Sequence, residues 1–195
     1  FGGGFMAMPG TYTATLSKVE NGEVTDLSEP VEFDVVPLRE GTLDGADYDE
    51  MVAFQNDVIE LQQAITTFEN TVEDHIDRVK AMQTAYSRAD QEDAALEKRL
   101  HDTHMDLLEL MEKLDGSEAK NEIGERNPPS PSDRMFVGIR AMFTSLYGPT
   151  GMHKDMIEIG NNEFNAMKGG LNSIANRFAQ FERQLTAIGA PPIEE

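Results

Sequence analysis

Hydrophobic residues recur at two different periods along this chain, and the change falls just before residue 50. In the first part the period is two. In TYTATLSKV (Thr11 to Val19), Tyr12, Ala14 and Leu16 fall on one face of an extended segment; Thr11, Thr13, Thr15 and Ser17 fall on the other. Alternation carried by β-branched and aromatic residues predicts a half-buried strand. Asn21-Gly22 follows, a pair that takes positive φ at both positions and closes tight hairpins. EVTDL returns, and VEFDVV (Val31 to Val36) makes a last strand with Val31, Phe33 and Val35 on one face. Pro30 and Pro37 bracket it, as suits a strand with sharp ends.

From Met51 onward the period is that of a helix. Met51, Phe54, Val58, Leu61, Ile65, Phe68, Val72, His75, Val79, Met82 and Tyr86 alternate steps of three and four. At about 1.5 Å per residue this helix runs roughly 55–60 Å, and a seam of that length needs partners of similar length. Asp47 followed by Glu50 predicts a capping box at its start. Ser87 to Asp90 is the expected turn, with Asp90 as the N-cap of a second helix. That helix carries Leu96, Leu100, Thr103, Leu107, Leu110 and Leu114 inward and ends at Asp115-Gly116. SEAKNEIGERNPPSPSD reads as a loop, since Pro128, Pro129 and Pro131 forbid regular helix within it. A third helix opens at Ser130-Pro131-Ser132-Asp133. Its stripe is Met135, Ile139, Met142 and Leu146, with Phe136 and Phe143 beside it, and Gly148-Pro149 stops it. The last helix begins near Thr150 and buries Ile157, Gly160, Phe164, Met167, Leu171, Ile174, Phe178, Phe181, Leu185 and Ile188.

These patterns predict a mainly α chain: an antiparallel four-helix bundle with long first and last helices over 50–190. The last two or three strands of an immunoglobulin- or fibronectin-like β-sandwich precede it over 1–38. Residues 39–49 are a linker and 191–195 a tail. Two or three strands are marginal alone in water, and FGGGFMAM adds one short strand at most. The remaining strands are therefore expected upstream, in a longer precursor or a separate chain; the alternative is a hairpin packed on the helices.

Composition changes this picture in two respects. The 195 residues include 36 Asp and Glu against 16 Lys and Arg, a net charge of -20. Such a charge repels nucleic acid and anionic membranes and favours cations, basic partners or plain solvation. There is no cysteine, which removes disulfides and thiolate metal sites without fixing the compartment. No apolar run approaches the roughly 20 residues of a membrane helix, so no membrane insertion is expected. The chain starts at Phe1 with no leader ahead of it, which reads as a mature product or a piece of something longer.

Candidate chemistry is sparse. His75 sits on the seam of the first helix, as a core imidazole or as a ligand or switch. His101 and His104 lie three apart and share a helix face, a spacing open to a transition metal, but such a site wants a third protein ligand. No histidine follows a glutamate by three residues, so the Glu-x-x-His pairs of di-iron bundles are absent. Asp44, Asp47, Asp49 and Glu50 cluster without the loop pattern of a calcium site. Gly160, Gly169 and Gly170 each cost a helix roughly 1 kcal/mol against alanine; they predict close packing within the bundle, or a contact surface for another protein. No nucleophile elbow, phosphate loop, zinc-protease motif or dinucleotide fingerprint occurs. No catalytic residue, cofactor or metal is expected.

MPGTYTATLSKVENGEVTDLSEPVEFDVVPL, followed by a helix opening at YDEMVAFQNDVIELQQAI, resembles the C-terminal region of large bacterial sortilin-like β-propeller proteins. These are common in Bacteroidetes and often labelled BNR-repeat glycosyl hydrolases. The resemblance implies an upstream propeller, an exported, cell-surface or periplasmic setting, and any glycosidase activity outside this chain.

The expected function is thus a non-catalytic C-terminal structural or interaction module that braces such a propeller or docks it to a partner. Two other readings stand beside it: a stand-alone interaction or secretion-system component, and a metal-binding or enzymatic bundle using His75, His101 and His104.

Overall fold

A computed structural model describes residues 7–38, 44–144 and 147–193. Four short strands come first: β1 (Gly10–Ala14), β2 (Ser17–Glu20), β3 (Glu23–Asp26) and β4 (Val31–Val35). Five helices follow among the described residues: α1 (Tyr48–Tyr86), α2 (Ala94–Asp115), α3 (Glu118–Glu122), α4 (Pro131–Thr144) and α5 (Gly151–Ala187). The chain is mainly helical, as the periodicity predicts. The expected short strand in FGGGFMAM and the expected inward Leu146 lie outside the described residues, apart from Ala7 and Met8.

The order of the contacts fixes the direction of each helix. From α1 to α5 the paired residues rise together: Glu50 with Lys154, Phe68 edge-on to Phe164 at 5.5 Å, Arg78 with Glu182. The two long helices therefore run parallel. Along α2 the numbers run the other way, Arg99 donating to Gln184 and Asp106 pairing with Arg177. The same holds for α4, where Arg134 reaches Glu163 while Gly138 lies against Ile157 and Val58. So α2 and α4 both run against the long pair, one after the other along it. A four-helix cross-section is not what these contacts draw. With 22 residues in α2 and 14 in α4, the two together nearly match the 39 of α1 and the 37 of α5. They share the third position of the rod.

Valine, leucine and phenylalanine fill its axis, with Val58, Val72, Val79, Met82, Leu96, Leu100, Leu107 and Leu114 fully buried. The α1 seam departs from the expected one at two steps: at its end Ala85 turns inward and Tyr86 is half-buried, and the other change falls mid-helix. Ile76, not His75, turns inward after Val72. The seven residues from Val72 to Val79 are divided four and three instead of three and four, which brings the apolar isoleucine in and leaves His75 half-buried at the flank. In α5 the buried row runs as expected through Gly160 to Leu185, with Met167 and Ile188 half-buried.

Two helix starts, those of α1 and α2, differ from expectation, and that of α5 falls where expected. At α1, Asp47 makes no side-chain capping bond, and the Glu50 carboxylate pairs with Lys154 instead of closing a box. At α2 the cap is Asp93, whose Oδ1 accepts from the N–H of Ala95 (3.0 Å) and Leu96 (3.1 Å). The expected cap, Asp90, packs against Gly189 beyond the end of α5. At α5, Thr150 and His153 form the box, Thr150 N–H donating to His153 Nδ1 at 3.2 Å. The start of α4 is as expected: Asp133 Oδ2 accepts from Ser130 N–H at 3.0 Å, and Ser130 Oγ from Asp133 N–H at 3.1 Å. One turn of helix, α3, stands in the segment expected to be loop throughout.

The strands make one long hairpin. Asn21 (φ 53°) and Gly22 (φ 83°) form its tip, as the sequence predicts. β2 pairs with β3 next to the tip and β1 with β4 further out, both antiparallel. The run Thr11 to Val19, expected as one strand, is interrupted at Thr15 and Leu16. There the single residue Thr15 faces three on the return arm, Ser28, Glu29 and Pro30. The strands make no extended contact with the helices.

Candidate functional site

The hairpin is two-faced. Cross-strand pairs Tyr12–Phe33 and Ala14–Val31 stand on the apolar side, the two rings stacked with centroids 6.0 Å apart. Leu16 and Leu27 continue that row beyond the irregularity, joined by the Leu27 N–H donating to the Leu16 carbonyl at 2.7 Å. On the opposite face Thr11 Oγ1 donates to Asp34 (2.8 Å) and Ser17 Oγ to Asp26 (2.6 Å). Sequence alternation produces this division directly, because successive strand side chains point to opposite sides.

What the ribbon lacks is cover. Leu16 is 62% exposed, Val31 61% and Phe33 48%, whereas the core residues Leu96 and Val72 of the helices are 0% exposed and Phe181 is 1%. Val19, Val24, Leu27 and Val36 are exposed as well. Apolar side chains scattered singly on a surface are ordinary; a contiguous row of them marks an interaction site. No layer packs on this row among the described residues, and the alternative in which the hairpin packs on the helices is not what is found. Just ahead of β1 the chain approaches the rod, where Met8 lines a small cavity with Met51, Phe54 and Met142.

The histidines are dispersed. His75 lies edge-on to Phe178 at 4.9 Å, on the α1–α5 seam, and burial together with the Arg78 charge lowers its pKa. His104 is half-buried on α2, and burial, the Lys80 charge and His101 lower its pKa. His101 is exposed on the wall of a shallow cleft between the end of α1 and the start of α2, beside Gln83, Glu97 and Lys98. His101 and His104 thus share a face as expected, while His75 is directed to a different seam. Among the described residues no three His, Asp or Glu side chains are grouped to hold a metal ion. Of the acids near the first helix, Asp44, Asp47 and Asp49 are exposed and Glu50 is engaged by Lys154.

The glycines of α5 divide. A Cβ on Gly160 would lie 3.2 Å from Arg134 Cβ and 3.4 Å from Leu61 Cδ2, so this position serves close packing. One on Gly169 would meet nothing. Sequence reading missed Gly138 of α4, which is buried where α1, α4 and α5 meet; its spacing of seven from Pro131, also buried, was the available signal.

No family model, curated protein or solved structure matches this chain. No helix among the described residues is long and apolar enough to cross a membrane.

Proposed function

We propose that this chain is a non-catalytic structural and interaction module. A rigid acidic rod carries a β-ribbon whose apolar face is covered by a sheet of another polypeptide, the pair forming an immunoglobulin- or fibronectin-like sandwich. The observation that carries this reading is the exposed row Leu16, Leu27, Val31 and Phe33, beside the half-buried Tyr12, set on a two-stranded ribbon. Such a ribbon is marginally stable in water and needs a second layer to persist. The resemblance to sortilin-like β-propeller proteins supplies a candidate for that layer, a domain preceding these strands in an exported, surface-exposed protein. In that setting the rod braces the propeller or holds it at a distance from a docking partner.

Amide exchange on the purified chain tests the reading. Ribbon amides should exchange at close to unfolded rates while core amides of α1 and α5 are slow. Ribbon amides as protected as those of the helices would show a self-sufficient element and defeat the proposal.

A further inference from the structure

The two edges of the ribbon are built differently. The return arm, Glu23 to Val35, carries Glu23, Asp26, Glu29, Glu32 and Asp34, together with Pro30 and the irregularity beside it. Charges, proline and local irregularity are the devices that keep an open strand edge from pairing. The outgoing arm, Gly10 to Val19, has fewer of them, although its pairing too is interrupted at Thr15 and Leu16. It holds no proline and no acid, and its single charge, Lys18, is matched by Glu20 just beyond at 2.8 Å.

The backbone of that arm also offers its groups outward. Leu16 turns inward: its carbonyl accepts from Leu27, and its N–H donates to Ser28 Oγ at 3.0 Å. Alternate residues of an extended strand point their N–H and C=O to opposite edges. Thr11, Thr13 and Thr15 therefore present theirs to the open side, and all three are exposed.

We propose that the Gly10–Val19 edge is a strand-addition site, filled by an extended segment of another polypeptide. This rests on the reading of the ribbon as an incomplete sheet and names how its partner joins. The side chains of the incoming strand alternate. One set is aliphatic or aromatic and extends the Tyr12, Ala14 and Leu16 row. The other set lies beside Thr11 and Thr13, two strand spacings from Glu32 and Asp34, and is threonine and lysine. Two spacings are roughly 10 Å, about one Debye length at 0.1 M salt, so the basic preference weakens as salt rises. A second copy of this chain is the less suitable occupant, because it brings another net charge of -20.

The test uses the full chain and a fluorescein-labelled peptide, Val-Lys-Val-Thr-Val-Lys-Val-Thr-Val. Peptide anisotropy should report binding that weakens between 20 mM and 500 mM NaCl. At saturation the Thr11, Thr13 and Thr15 amides should exchange at least tenfold more slowly. Thr13→Pro should cut affinity at least tenfold, since proline removes an outward N–H that the ribbon itself does not use. Val24→Pro, an uncharged position on the other edge, should leave affinity within twofold. The proposal is overturned by any of three results: no slowing at the three threonines, equal binding by both proline variants, or a concentration-dependent dimer that protects Thr13 without peptide. Ribbon amides already slow in the peptide-free chain would defeat the incomplete-sheet reading. Fast ribbon amides that the peptide leaves unchanged would defeat only the edge assignment.

Discussion

Gly138 of α4 lies directly against Ile157 of α5. A Cβ built on it would stand 2.9 Å from Ile157 Cγ1 and 3.0 Å from Val58 Cγ2, closer still to the isoleucine's terminal methyl. Alanine at 138 gains roughly 1 kcal/mol of helix propensity but overpacks a filled site, at about 1–3 kcal/mol. Ile157 is 4% exposed and has little room to turn, so the packing term wins. Gly138→Ala should lower stability by about 1–2 kcal/mol in urea denaturation, and Ile157→Val in the same chain should recover part of the loss. An unchanged or raised midpoint would mean that α4 does not sit this close.

Gly169 gives the opposite sign. It is exposed on α5 with open space around its Cα. Gly169→Ala should therefore raise stability by about 0.5–1 kcal/mol through propensity alone. The same change at Gly160 should be neutral or unfavourable, because Arg134 Cβ stands in the way. Comparing the two denaturation midpoints checks both.

Helix identity was legible in the sequence because long three-four stripes admit one secondary structure. Arrangement was less so. Four stripes joined by short turns suggested four helices side by side. The lengths of α2 and α4, each well short of α1 and α5, were the clue to their sharing one position. Where the stripe offered two adjacent residues, His75 and Ile76, the ladder chose the wrong one, because either divides the seven residues from Val72 to Val79 and only the greater hydrophobicity of isoleucine separates them. Caps were ambiguous wherever aspartates crowd, as at Asp90 and Asp93, since either can reach a free N–H. The ribbon's two faces were readable from alternation, but its break at Thr15 was not, because that depends on two extra residues across the hairpin.

Glu69 of α1 sets a pH dependence. Its pKa is raised by burial first, then by the charges of Asp115 on α2 and Glu73 on α1. A carboxyl with a raised folded pKa binds its proton more readily in the folded state. Its favourable contribution is complete below the unfolded value, the usual carboxylate range, and is lost as pH rises through the folded value. Glu69→Gln should therefore raise the Tm at pH 7, with the difference shrinking toward pH 4. Thermal melts of the variant and the parent across that range provide the check; a Tm difference independent of pH would show that charge is not the cause.

Phe33 and Phe164 are the same side chain in opposed circumstances. Phe164 is 2% exposed, edge-on to Phe68 and beneath the Lys168 ammonium, 4.8 Å from its ring centroid. Phe33 is 48% exposed and stacks on Tyr12. Truncating the buried ring, Phe164→Ala, should cost about 3–5 kcal/mol. Because the strands make no extended contact with the helices, Phe33→Thr should shift the helical transition by less than about 0.5 kcal/mol. Circular dichroism at a helix-sensitive wavelength reads both against urea. A large loss from Phe33→Thr would mean that the ribbon is coupled to the rod, and that the exposed row stabilises this chain itself instead of awaiting another.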